Sequence, residues 1–261
     1  MGERAEVLLS SIPVQLEPAE AVTRLGLIAL ATDLTTERDA ARLIPHDRAA
    51  LHVTRVAFEN PTTAENLLRM APLLTEAARL LLPGEPMAAI YYACTAASVM
   101  IGDDAIRHAI QAGKPDVPVV TPTDAALTAF RSLGVQRITL VTPYLSKTTQ
   151  PMVAYFQRKG LEVVSAQCLG LEDDRNMARV SSQTIIDAAI AADRPQSEGV
   201  FLSCTALPAL GVIEALEDRL GKPVISSNQA GLWQMLNHAR LAPNEGLGKI
   251  FDRMPLEAVY D

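Results

Sequence analysis

One short pattern occurs twice, and it constrains the fold more than anything else in this chain. The first copy reads Ala89-Ile90-Tyr91-Tyr92-Ala93-Cys94-Thr95-Ala96-Ala97-Ser98. The second reads Gly199-Val200-Phe201-Leu202-Ser203-Cys204-Thr205-Ala206-Leu207-Pro208. Each is an apolar run of strand length that ends in a small residue followed by Cys-Thr-Ala, and each leads into a segment of helical periodicity. The two cysteines stand 110 residues apart in a chain of 261.

The flanking elements repeat in the same order. Arg24–Ala31 is a continuous apolar run suited to a strand buried on both faces, and Arg137–Thr142 corresponds to it. Val117–Pro122 corresponds to Pro223–Ser227 as the strand after each cysteine motif. Between them the spacing predicts further strands at His52–Phe58 and Leu161–Cys168. Helices are predicted after Thr32–Glu37, over Glu65–Leu82 with Pro72 as a kink, over Asp103–Gln111, from Pro143-Tyr144 to Gly160, over 176–192, over Leu210–Leu220 and over Trp233–His238. Strands that alternate with helices in both halves predict an α/β fold with mostly parallel sheets. A repeat this long is not a solenoid unit. It predicts two pseudo-symmetric lobes with a cleft between them, at 23–121 and 122–228, with the C-terminal 229–261 returning to the first lobe. Residues 1–22 show no sustained period and read as a surface arm.

Composition removes several function classes. The net charge is −7 and no basic run is interleaved with aromatics, which argues against nucleic-acid binding. No uninterrupted apolar stretch of about 18 residues predicts a membrane span. The start of the chain lacks a basic segment followed by an apolar core, and Glu6 stands where a myristoylation signal needs Ser or Thr. Three scattered cysteines make no disulfide framework and no zinc spacing, so a cytoplasmic protein with reduced thiols is expected. Gly-rich nucleotide loops and His-Glu-x-x-His are absent, and the four histidines are dispersed. No metal and no cofactor are expected; the partner is a small carboxylate or amino-acid substrate.

In open parallel sheets, ligands collect beyond the carboxyl ends of the strands, where Cys94 and Cys204 are both expected, each just before a helix. Backbone N–H groups at Thr95-Ala96 and Thr205-Ala206 would then face a carboxylate or enolate. The positive helix end would favour thiolate, lowering each cysteine from its usual pKa of roughly 8.5. A lone buried cysteine is ordinarily inert core. Two at equivalent places, each followed by Thr-Ala, are harder to explain that way. Cys168 has no counterpart in the first half and reads as inert core.

The segments YYACTAASVMIGDDAI, RITLVTPYLSKTTQPM, DDRNMARV and FLSCTALPALGVIEAL, in that order, resemble the aspartate/glutamate racemase superfamily. Within it the resemblance is to the branch of maleate cis–trans isomerases, arylmalonate decarboxylases and the ectoine-utilisation protein A. It implies two α/β lobes, a site in the cleft, cofactor-independent chemistry next to a carboxylate, and homo-oligomers, often dimers. Carried over by position, Cys94 and Cys204 match two facing catalytic cysteines. Thr95 and Thr205 match neighbours that bind carboxylate oxygens. Tyr144 matches a tyrosine that binds a substrate carboxylate. Asn176 matches a substrate-contacting asparagine, or else caps a helix. Maleate isomerases usually carry Asn where this chain has Asp33. An ionised Asp repels a carboxylate and welcomes an ammonium group, or it caps the helix that follows.

These residues suit a two-cysteine racemase or epimerase acting α to a carboxylate, on an amino acid or N-acyl amino acid of the ectoine-utilisation type. Maleate cis–trans isomerisation is the alternative. An arylmalonate-type decarboxylase needs only the second cysteine, and a catalytically silent ligand-binding protein would need neither thiol.

Overall fold

A computed structural model of the chain describes residues 7–18 and 20–253. The first half runs β1 (Thr23–Leu30), α1 (Thr36–Leu43), β2 (Ala49–Val56), α2 (Ala64–Leu68), α3 (Leu74–Leu80), β3 (Ala89–Tyr92), α4 (Thr95–Ile101), α5 (Asp103–Gly113) and β4 (Val119–Val120). The second half runs α6 (Pro122–Ser132), β5 (Arg137–Thr142), α7 (Ser146–Arg158), β6 (Glu162–Cys168), α8 (Asp174–Met177), α9 (Ser182–Ala192), β7 (Gly199–Leu202), α10 (Ile213–Leu220), β8 (Val224–Ser226) and α11 (Ser227–His238). Residues 7–18 carry no regular structure and are exposed; 254–261, assigned from sequence to the first lobe, lie outside the described residues.

The strands form two four-stranded sheets of the same order, β2-β1-β3-β4 and β6-β5-β7-β8. Every strand pair is parallel. The fold is therefore α/β with two similar halves, as the repeated pattern requires. Helices cover both faces of such sheets, which is why β3 and β7 are buried at every position and β1 from Leu25 onward.

This strand order fixes where a site can form. In each sheet the chain leaves the central strand (β1 or β5) for the edge, then returns on the other side as β3 or β7. The crevice at the carboxyl ends of two such strands is the topological switch point. The loop after β1 carries Asp33 and the loop after β3 carries Cys94. The loop after β5 carries Tyr144 and the loop after β7 carries Cys204.

The halves exchange helices. Phe130 of α6, which follows β4, packs edge-to-face on Phe201 of β7 at 6.0 Å between ring centres. Gly231 of α11, which follows β8, lies against the ring of Tyr91 in β3. A buried carboxylate also bridges the halves: Asp103 of α5 accepts from Thr121, Thr123 and Tyr155 of α7.

Several local expectations need correction. The helix expected over Glu65–Leu82 is cut into α2, a 3-10 turn at Ala71–Leu73 and α3, because Pro72 has no N–H to continue the ladder. Pro143-Tyr144 does not open a helix; α7 starts at Ser146 behind Leu145, leaving Tyr144 in the loop. The periodic stretch 176–192 is two helices, since the Ser181 hydroxyl caps α9 separately. The last helix begins at Ser227, earlier than expected, on a capping box between Ser226 and Gln229. Cys168 is half-buried at the end of edge strand β6, so it is not core.

Candidate active site

Cys94 is the N-cap of α4, as the sequence predicts, with no hydrogen bond from its side chain to the helix start, and the Ala97 N–H favours its thiolate. Cys204 differs. It is followed by bends through Thr205–Pro208, and helical structure resumes only at Leu210. The expected helix start behind Cys204 is replaced by a loop in which the Leu207 N–H donates to the Cys204 carbonyl at 3.3 Å, and the Ala206 and Leu207 N–H groups lie close enough to the sulfur to favour its thiolate. The Tyr144 hydroxyl from the loop after β5 also stands by Cys204 and favours its thiolate. Three donors thus favour the Cys204 thiolate and one favours that of Cys94. Neither thiol is acidic here, contrary to the expectation from helix ends. Burial, with the Asp174 carboxylate as the next cause, pushes Cys204 up to about 12 and Cys94 well above its ordinary value.

The two threonines tie the halves together. Thr205 Oγ1 donates to the Ala93 carbonyl at 3.1 Å, and Thr95 Oγ1 bonds Ser227 Oγ at 2.8 Å. Both hydroxyls are thus engaged within the protein. Asp33 is buried, with Oδ1 accepting from the Thr35 and Thr36 N–H groups and Oδ2 from the Thr36 hydroxyl. It therefore anchors the start of α1 while standing near Cys94 and Asp174.

Asn176 is not brought to the site. The single turn of α8 buries Asp174 and Met177 and exposes Asn176. Asp174, two residues earlier, occupies the place expected of it. Its Oδ2 accepts from Thr32 Oγ1 of the other half at 2.9 Å, and its N–H donates to Asn60 Oδ1 at 3.1 Å. Burial raises its pKa to about 6. The sequence signal was ambiguous: in Asp173-Asp174 either carboxylate reads as an N-cap, and Asp173 takes that role.

Sequence reasoning also missed a buried network behind the Cys204 loop. Asn228 Nδ2 donates to both Asp39 Oδ2 and the Thr205 carbonyl, and Thr35 Oγ1 donates to the Ala206 carbonyl. Burial pushes Asp39 up to about 7. A carboxyl that holds its proton more tightly when folded destabilises the fold as pH rises from about 4 to 7. Asp39→Asn should therefore gain stability over the parent chain at pH 8 by roughly 2–4 kcal/mol and lose that advantage at pH 4. Denaturant melts at the two pH values test this; a pH-independent difference contradicts it.

The site is closed. Cys94, Cys204 and Tyr144 are 5 %, 3 % and 2 % exposed. Cross-half bonds such as Thr62 N–H to the Glu172 carbonyl (2.8 Å) hold the rim. Among the described residues no cluster of His, Cys, Asp and Glu could hold a metal ion, and no helix is long and apolar enough to cross a membrane.

The family model described as arylmalonate decarboxylase matches residues 80–251. An arylmalonate decarboxylase from Bordetella bronchiseptica is 34 % identical over 140 residues, which span 52 % of this chain and 58 % of that protein. The structure of a double variant of arylmalonate decarboxylase in its liganded form, with one glycine changed to cysteine and one cysteine to serine, superposes with a TM-score of 0.80. It is 28 % identical and covers 88 % of this chain and 99 % of the other. A Nocardia farcinica maleate cis–trans isomerase variant with a covalently bound succinylcysteine intermediate shares the fold at a TM-score of 0.79, with 23 % identity, 88 % of this chain and 98 % of the other. The fold of two like half-domains is thus one that these relatives share, and the chain belongs to the arylmalonate decarboxylase family, in the branch of the aspartate/glutamate racemase superfamily that also holds the maleate isomerases.

Proposed function

We propose that the protein is a cofactor-independent isomerase that inverts a carbon α to a carboxylate, a racemase or epimerase of an amino acid or N-acyl amino acid. The observation that carries this reading is the placing of Cys94 and Cys204 at equivalent switch points of two facing halves. Inversion needs a proton removed on one face and delivered on the other, and one base alone returns it to the face it came from. In the forward direction the Cys204 thiolate takes the α-proton and becomes a thiol. The electron pair moves into the carboxylate as an enediolate, held by backbone N–H groups of the two loops. Cys94 then gives its thiol proton to the opposite face and becomes the thiolate, and solvent exchange resets the pair. Cys204 is the better first base because Tyr144 and two N–H groups stabilise its anion.

Removing that hydroxyl takes away a bond to a charged group, worth about 1.5–3 kcal/mol. Tyr144→Phe should lower kcat roughly 10- to 100-fold at pH 8 and shift the ascending, acid-side limb of its pH profile upward. An unchanged pH profile of kcat rules out this role.

Maleate cis–trans isomerisation is the second reading, favoured by the likeness to maleate isomerase structures. There a thiolate adds to one alkene carbon, the bond rotates, and the thiolate is expelled. The two buried carboxylates at the site oppose a dianionic substrate. A screen for deuterium uptake from heavy water across free amino acids, N-acyl amino acids and maleate, with Cys94→Ser and Cys204→Ser as controls, separates these readings. Fumarate formed from maleate, with no α-exchange in any amino acid, would replace the first reading with the second.

A further inference from the structure

We propose that Asp174 seats a cationic group of the substrate, so that the enzyme selects free α-amino acids over their N-acylated forms and over dicarboxylates. This rests on the two-thiol reading above and narrows it.

Asp174 belongs to neither cysteine loop, yet it is 6 % exposed and stands at the closed cleft between the halves. Its Oδ2 takes the Thr32 hydroxyl, while Oδ1 has only a long 3.5 Å contact from Thr62 Oγ1. A carboxylate can accept about four hydrogen bonds, so Oδ1 has accepting capacity that no described residue takes up at ordinary hydrogen-bond distance. Its charge is the leading electrostatic influence on both sulfurs, and Asp33 adds to it at Cys94. A second acid therefore faces the reacting centre from the opposite half.

The basic residues bordering the cleft are committed elsewhere. Arg175 turns outward and pairs with Asp173 at 2.8 Å. Arg55 lies on the carbonyls of Leu30 and Asp33 and pairs with Glu37. Lys147 pairs with Glu172 at the rim. Among the described residues the site thus holds carboxylates with no cation of its own. A dicarboxylate would add two like charges to them in a desolvated space, whereas an ammonium group supplies the missing counter-charge.

The same placing has a chemical consequence. Carboxylates beside a thiol resist its ionisation, and an ammonium bound to Asp174 offsets that resistance at both sulfurs at once. A substrate with a free amino group therefore helps to ionise the base that will attack its α-carbon. An N-acyl nitrogen is neutral and gives no such help.

The test uses the full chain with D- and L-forms of the common amino acids, their N-acetyl derivatives, and succinate and maleate as amine-free probes. Dissociation constants come from calorimetry, and α-exchange in heavy water from proton NMR. The expected result is that at least one free amino acid binds and exchanges, its N-acetyl form and the dicarboxylates bind at least 100-fold more weakly, and Asp174→Asn removes most of that gap. An asparagine can still donate to a carboxylate. If Asp174 acts instead as a protonated donor, Asp174→Asn keeps or tightens the binding of every carboxylate, which overturns the proposal. Tighter binding of N-acetyl or dicarboxylate ligands by the parent chain, or binding of no amino acid at all, overturns it as well. Failure of the two-thiol reading is separate: full inversion of the α-carbon would then persist in Cys94→Ala or Cys204→Ala whatever the ligand preference.

Discussion

Cys94→Ala and Cys204→Ala should each abolish inversion, with rates falling at least about 10³-fold, because each face of the α-carbon then lacks its proton carrier. The two variants should differ in what remains. With Cys204 intact, the thiolate favoured by Tyr144 and the Ala206 and Leu207 N–H groups still removes a proton from its own face. Cys94→Ala should therefore retain α-deuterium exchange in one enantiomer without forming the other. Cys204→Ala should retain the opposite enantiomer's exchange, and more slowly, since one N–H favours the Cys94 thiolate. Proton NMR of each enantiomer in heavy water measures both effects. Full inversion by either single variant would show that one base suffices. Cys168→Ala, at the far edge of the second sheet, should change neither rate.

The second large effect lies in the scaffold. Gly231→Ala should destabilise the fold by about 3 kcal/mol or more, lowering Tm by roughly 6–12 °C. A Cβ at that position would sit 2.3 Å from two ring atoms of Tyr91 and 2.7 Å from its hydroxyl. The ring cannot yield, being fully buried in β3 with its hydroxyl bonded to the Ser227 carbonyl at 3.2 Å. The strain falls where α11 docks beneath the strand that delivers Cys94. Gly211→Ala is the matched control: a Cβ there meets nothing nearer than Arg42 Nη1 at 3.9 Å. It should stay within about 0.5 kcal/mol of the parent. Calorimetric melts of the two variants side by side check this; equal stability would mean that α11 packs differently.

The strands were legible because strands buried on both faces write themselves as unbroken apolar runs. Ile90-Tyr91-Tyr92 and Val200-Phe201-Leu202 leave no other reading. The cysteine loops were legible for a related reason: a parallel sheet of this order makes the end of its third strand a switch point. What failed was local. Pro143-Tyr144 looks like a helix start, yet α7 begins only at Ser146 and leaves the tyrosine in the loop beside Cys204, which lies 60 positions away in the chain. Asn176 and Asp174 differ by half a helical turn, and nothing in the DDRN string says which side meets the cleft; the cap on Asp173 decides it. The acidity of the thiols was misjudged because a helix end is visible in sequence and desolvation is not. Asp39 and Asn228, 189 positions apart, meet only because α11 returns to the first half.

The most direct measurement of the central claim follows the first turnover in heavy water, starting from one enantiomer of the exchanging amino acid. Deuterium at the α-carbon of product and of unreacted substrate is read by mass spectrometry at low conversion. Two thiols on opposite faces predict that product carries solvent deuterium from the first turnover while the remaining substrate stays largely protonated. Product that keeps the substrate's own proton would mean that a single base moves it from face to face, and would contradict the pairing of Cys94 with Cys204.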